Sequence, residues 1–179
     1  DEEQVRGYQY LYRSNFVRND TGDHAQALQL AQQALTAVDE ENETFVSAAW
    51  GQIAVNYYNL GQLEEADEAI MMARQSIRGN NAAALGMRLL TIELHTINAT
   101  AQGDFRRAEQ LAHEGIDLVA QGQLRSPFVG IMHTILARIY YEWNEIDKAE
   151  THVNEAMAWA RRTGISDLFT YSAFTLSNL

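Results

Sequence analysis

The stretch Trp50-Gly51-Gln52-Ile53-Ala54-Val55-Asn56-Tyr57-Tyr58-Asn59-Leu60-Gly61-Gln62-Leu63-Glu64-Glu65-Ala66-Asp67-Glu68-Ala69-Ile70-Met71-Met72-Ala73 decides the fold. Trp50, Ile53, Ala54 and Tyr57 recur at three- and four-residue steps, which places them on one face of a helix. Gly61 then interrupts the pattern with a residue suited to a turn. Beyond it, Ala66, Ile70 and Ala73 define one face of a second helix, and two of these three residues are small. Small side chains on a helix face let a neighbouring backbone come close. The stretch reads as two antiparallel helices joined by a tight turn.

The same unit recurs in both directions. Turns stand at Gly22-Asp23, Gly61-Gln62, Gly103-Asp104 and Asn144-Glu145, with first residues 39, 42 and 41 positions apart. Alanine follows each at a fixed distance, as Ala27, Ala66, Ala108 and Ala149. Small or medium apolar residues come four and seven places later: Ala31 and Ala34, Ile70 and Ala73, Ala112 and Gly115, Val153 and Ala156. A period near 40 with a helical face in every copy marks a helical solenoid. With one proline and no alternating apolar run between hairpin turns, the chain is expected to be all-α, a right-handed superhelix of antiparallel helix pairs. It reads as a single repeat domain over residues 1–179, with pairs at about 4–39, 44–78, 83–121 and 127–163 and the start of a fifth at 167–179. The opening Asp1-Glu2-Glu3-Gln4 and the closing run to Leu179 both read as boundaries inside a longer protein.

Local signals fill in this outline. In the first helix, Tyr8, Leu11, Tyr12, Asn15 and Phe16 share helical spacing. Asp23 is placed to cap the second helix, and Asn144 to cap the last one, with Asp147 three residues on in capping-box fashion. Pro127 suits a first helical turn. Gly164 is expected to close the last helix behind Arg161 and Arg162, whose charges favour a helix carboxyl end. The third pair has the weakest inward face: Ile92, His95, Thr96 and Ala99.

Charge and composition exclude several classes of function. There are 24 acidic and 13 basic residues, a net charge of −11, and one lysine, Lys148, among the basic ones. Such a surface repels phosphate backbones, so direct nucleic-acid binding is not expected. Without cysteine there is neither a disulfide framework nor a thiolate metal site. No apolar run is long enough to span a membrane. The five histidines, His24, His95, His113, His133 and His152, are spread over different helices without a His-x-x-x-His pair, so no metal site is expected. His133 falls at a core position and reads as a hydrogen-bonded structural residue. Glu64, Glu65, Asp67 and Glu68 read as a solvated helix start. Nothing in the chain has the spacing of a catalytic nucleophile, a general base or a Gly-rich phosphate loop, so neither enzyme activity nor a cofactor is expected.

Trp50, Ile53, Ala54, Tyr57, Ala66, Ile70 and Ala73 occupy positions 4, 7, 8, 11, 20, 24 and 27 of a tetratricopeptide repeat. The fourth unit is more specific. Leu136-Ala137-Arg138-Ile139-Tyr140-Tyr141-Glu142-Trp143-Asn144-Glu145-Ile146-Asp147-Lys148-Ala149-Glu150, with Ala160-Arg161-Arg162-Thr163-Gly164 after it, resembles the tetratricopeptide-like arm of the MalT-type ATP-dependent transcription activators, within the LuxR-type regulators. The resemblance covers essentially the whole chain. It implies a cytoplasmic protein in which the arm lies between an ATPase module and a helix-turn-helix module, binds a small-molecule inducer or a regulatory protein, and helps control oligomerisation. The alternative is a generic protein-interaction scaffold that takes a peptide or helix in its groove. Self-association through Leu168, Phe169, Tyr171, Phe174 and Leu176 is a third expectation.

In a tetratricopeptide superhelix the first helix of each pair lines the concave wall. On that frame the ligand- or partner-binding candidates are Tyr12, Phe16, Tyr58, Asn59, Glu93, Arg138, Tyr141 and Glu142. Rings supply stacking area, while amides, a guanidinium and carboxylates fix orientation. Trp50 and Trp143 read as packing residues.

Overall fold

The computed structural model describes residues 2–39, 41–122, 126 and 128–163. Among these lie eight helices and no strand: α1 (Glu2–Asp20), α2 (His24–Thr36), α3 (Glu43–Asn59), α4 (Leu63–Gln75), α5 (Ala82–Ala101), α6 (Phe105–Gly122), α7 (Phe128–Glu142) and α8 (Ile146–Thr163). They pack as successive antiparallel pairs: α1 on α2, α3 on α4, and α7 on α8, with α2 also against α3 and α6 against α7. The chain divides into two compact units between Leu94 and His95, within α5. Pro127, Gly164 and the segment 167–179 lie outside the described residues.

The periodic alanine faces are the core. Ala27, Ala31 and Ala34 on α2 are each fully buried, as are Ala66 and Ala73 on α4, Ala108 and Ala112 on α6, and Ala149 and Ala156 on α8. The medium-sized members of the same faces, Ile70 and Val153, are buried too. In the first unit Ala31, Ile53, Ala54, Ala69 and Ile70 form one cluster, with Trp50, Tyr57 and Leu94 packed on it. Phe45 and Ala49 meet Ala34 in a second. In the second unit Ala99 and Ala108 bring α5 and α6 together, and Leu111, Ile139 and Trp143 close the cluster. Trp50 and Trp143 therefore pack, as expected from their positions.

The turns share one mechanism. Gly22, Gly61, Gly103 and Asn144 all adopt positive φ, at 68°, 76°, 77° and 57°. After Gly61, Gly61 N donates to Tyr58 O and Gln62 N to Tyr57 O, the paired bonds that satisfy the last carbonyls of α3. The same two bonds recur at Gly103-Asp104 and at Asn144-Glu145. Asn144 thus does at its turn what glycine does at the others. The reading of Asn144 as the cap of α8 is corrected by its left-handed backbone, which makes it the terminator of α7. Asn is among the few non-glycine residues that enter this region readily. Glu145 holds the capping position instead, with its carbonyl accepting from Ala149 N at 3.0 Å. Asp23 does cap α2, accepting from Gln26 N at 2.9 Å.

The first helix departs from its simple periodic reading. Its buried residues are Gly7 and Ser14; Tyr12 and Phe16 are 79% and 65% exposed. Ser14 Oγ donates to the carbonyl of Ala27 at 2.7 Å, so a buried hydroxyl ties α1 to α2. At Gly7 the segment just after α2 comes so close that an added Cβ would stand 2.3 Å from Val38 Cγ2. Gly7 and Ser14 are buried in the contact face, with Tyr10 and Leu11 packed beside them on Ala34, Phe45 and Ala49.

Gly7→Ala is expected to lose about 1 kcal/mol. Crowding costs ~1–3 kcal/mol, offset by up to ~1 kcal/mol of helix propensity. In a Val38→Ala background the same change becomes neutral or stabilising. Urea unfolding of the four proteins checks this, and an equal loss in both backgrounds would place the strain elsewhere.

Candidate functional site

The candidate residues fall on both units. On the first unit, Tyr12 and Phe16 stand one turn apart on α1, toward solvent. The neighbouring edge of α1 meets α3: the Tyr8 ring lies edge-on to Phe45 at 4.7 Å, and Arg18 Nη1 donates to Gln52 Oε1 at 2.9 Å. Tyr58 is half-buried near the end of α3, and Asn59 is exposed with its amide donating to Val55 O at 2.7 Å. On the second unit, Arg138, Tyr141 and Glu142 are exposed together on the last turn of α7, where their three- and four-residue spacing makes them neighbours. Tyr141 is 40% exposed.

Glu93 differs from the rest. It is only 8% exposed on α5, among a run of buried polar residues that includes Thr91, His95, Thr96 and Asn98. Burial pushes its carboxyl up to about 7. His95, which looked misplaced on an inward face, is held by Arg107, whose Nη2 lies 2.6 Å from His95 Nε2. The guanidinium can only donate, so Nε2 accepts and the ring proton sits on Nδ1. The third pair therefore packs with a polar interior rather than a weak one.

Sequence reasoning missed one constellation. His113 on α6, His133 on α7 and His152 on α8 come together, although no two share a helix. His133 Nδ1 lies 2.9 Å from His152 Nδ1. The His152 ring stacks on Tyr140 at 5.3 Å and stands 6.1 Å from His113. Tyr140 donates to Glu109 Oε1 at 2.7 Å, and burial together with that bond pushes its hydroxyl up to about 12. Burial first, then His152, His113 and Arg162, push His133 down to about 4. Burial and His113 also lower His152. The histidines do lie on different helices, and antiparallel packing brings three of them to one place. A signal was present in the sequence, since the repeat frame puts His113 and His152 on second helices and His133 on an adjacent first helix. Among the described residues no group of three or more His, Asp or Glu side chains is arranged to hold a metal ion.

The model of the MalT-like TPR region matches residues 13–176. The chain belongs to the MalT-like TPR region family. This MalT-like TPR region shares its fold with two solved structures. The apo form of RapI superposes with a TM-score of 0.80 at 16% identity, over 96% of this chain and 62% of that one. A Pyrococcus horikoshii signal transduction ATPase with numerous domains, described as having a tetratricopeptide repeat sensor, superposes with a TM-score of 0.76 at 20% identity, over 96% of this chain and 26% of that one. This MalT-like TPR region thus spans under two thirds of either chain. Comparison with curated proteins gives no match. The family and the fold together make it a tetratricopeptide-type interaction module. No helix among the described residues is long and apolar enough to cross a membrane.

Glu93 generates a pH prediction. An unfolded carboxyl ionises near 4.5 and the folded one near 7, so the folded state holds the extra proton between those values. The contribution is complete below pH 4.5 and is lost as pH rises through 7. Glu93→Gln is expected to be more stable than wild type at pH 8 by on the order of 3 kcal/mol, with the gap gone by pH 4. Denaturant unfolding at both pH values checks it, and a variant that is no more stable at pH 8 would contradict it.

Proposed function

We propose that this chain is the sensor arm of an ATP-dependent transcription activator of the MalT type, acting in the cytoplasm. The observation that carries the reading is the family match over residues 13–176. An ATPase module and a helix-turn-helix module would flank the arm in the whole protein. The arm would bind a small-molecule inducer or a regulatory protein, and binding would favour the conformation that assembles with ATP. A ligand shifts that balance only by its difference in affinity between the two states.

Two faces would make the contact. Tyr12, Phe16, Tyr58 and Asn59 offer rings and an amide on the first unit, with Glu93 buried in the same unit. Arg138, Tyr141 and Glu142 offer a guanidinium, a ring and a carboxylate on the second. Exposed aromatic rings beside polar groups suit a sugar-like or peptide ligand. The degree of exposure of Tyr12 and Phe16 also supports a second reading, a scaffold that docks a peptide or helix without ATP-linked switching. The two readings differ in what surrounds the arm. A phosphate loop encoded upstream and a helix-turn-helix downstream support the activator. Repeats continuing both ways, with neither module, leave the scaffold.

Because Tyr12, Phe16 and Arg138 are exposed, their replacement by alanine should change stability by no more than ~0.5 kcal/mol. A thermal-shift panel of sugars, amino acids and short peptides is expected to yield a stabilising ligand whose effect falls at least about tenfold in affinity in Tyr12→Ala/Phe16→Ala or in Arg138→Ala. Undiminished binding in both variants would remove these faces from the site.

A further inference from the structure

We propose that His113, His133 and His152 form an acid-responsive latch between α6, α7 and α8, which loosens α8 when the imidazoles take up protons. The geometry limits where protons can go. Tyr140 has a single hydroxyl proton, and it goes to Glu109 at 2.7 Å. At the 3.4 Å contact between His113 and Tyr140, Nε2 of His113 must therefore donate and the phenol oxygen accept. The bond between His133 and His152 joins Nδ1 to Nδ1 at 2.9 Å, so one ring donates and the other accepts. That bond survives with one proton between the two nitrogens. With a proton on each nitrogen, two N–H groups face each other and the bond is lost.

The neighbourhood opposes the added charge. Lys148 lies 5.0 Å from the centre of the Tyr140 ring, and Arg162 acts on His133 from the same helix, α8. Four acidic groups stand nearby, and most are engaged elsewhere or exposed. From α6 Glu109 is engaged by Tyr140, while Asp117 stands one turn beyond His113 and is exposed. At the α7–α8 turn Glu145 pairs with Lys148. On α8 Glu155 alone favours a charge on His152. The His152 ring stands 5.1 Å from that of His133 and 6.1 Å from that of His113, so charge gained by His133 and His152 together is repelled where the helices meet.

The sign follows from burial. An imidazole held below its ordinary range in the folded state contributes stability that is complete above pH 6.5 and is lost as pH falls toward 4. His133 is 9% exposed, so burial opposes its taking up a proton while α7 and α8 stay packed. The device is local to the second unit. The packing of the first unit uses none of these three residues.

Amide hydrogen exchange at pH 7.5 and 5.0, corrected for intrinsic rates, tests this on the whole chain. Protection in α7 and α8 is expected to fall about tenfold or more at pH 5.0, with less than about threefold change in α2, α3 and α4. His133→Gln/His152→Gln should lose that contrast. Unchanged protection of α8 in wild type, or an equal fall in the variant, would overturn the latch. Should the variant fail to fold at pH 7.5, titration of the histidine ring protons in wild type decides. His133 is expected to stay neutral for as long as α8 is protected. A His133 that ionises at pH 6 while α8 remains protected would equally overturn it.

Discussion

Close approach of helix backbones across faces of small residues is the constraint on which the structure depends. An alanine face removes almost no conformational entropy and leaves nothing to obstruct the neighbouring helix. Its own apolar area is modest, so the larger residues opposite it supply most of the burial, among them Ile53, Phe45, Leu111 and Ile139. This division of labour explains why the second helix of each pair can be so rich in polar residues outward. It needs only a narrow stripe to dock. The helices bearing that stripe are α2, α4, α6 and α8, and each follows a left-handed turn residue that fixes how it folds back on its predecessor.

Surface function then becomes separable from folding. Because the core is carried by a few small positions, the outer faces of α1 and α7 are free to hold Tyr12, Phe16, Arg138, Tyr141 and Glu142 without a packing role. The same architecture admits polar residues inside α5, where Arg107 donates to His95 Nε2 and Thr91 donates to the Arg88 carbonyl. Buried polar groups of this kind are tolerated when they are paired. Glu93 is kept protonated by burial instead, so the first unit loses stability as pH rises from about 4.5 through 7, while the histidine cluster makes the second sensitive to acid.

The repeat was legible from sequence because its signal is local and redundant. Spacing of four and seven residues after each turn needs no tertiary information, and every residue in those sets is buried. The helix pairs and the tetratricopeptide resemblance followed from it. Asn144 was misassigned because Asn suits both an N-cap and a left-handed C-terminal position; only backbone φ separates them. α1 was legible only as to spacing. Its aromatic residues have the periodicity of a core face, but helical spacing says which residues share a face and not which face is buried. Gly7 and Ser14 are the buried ones, against Val38 and the Ala27 carbonyl. The histidine cluster was invisible to spacing within any one helix, since its members are drawn from three. The candidate binding residues came from a repeat frame, which places positions on faces without saying what a ligand would touch.

Comparing one buried alanine with one exposed alanine on the same helix tests the packing account most directly. Ala31 is fully buried in the first-unit core, whereas Ala25 on α2 faces solvent. Ala31→Ile is predicted to lose about 1–3 kcal/mol in urea unfolding through overpacking, and Ala25→Ile no more than about 0.5 kcal/mol through helix propensity. Equal, small losses at both positions would contradict the claim that small residues on this face set the distance between helices.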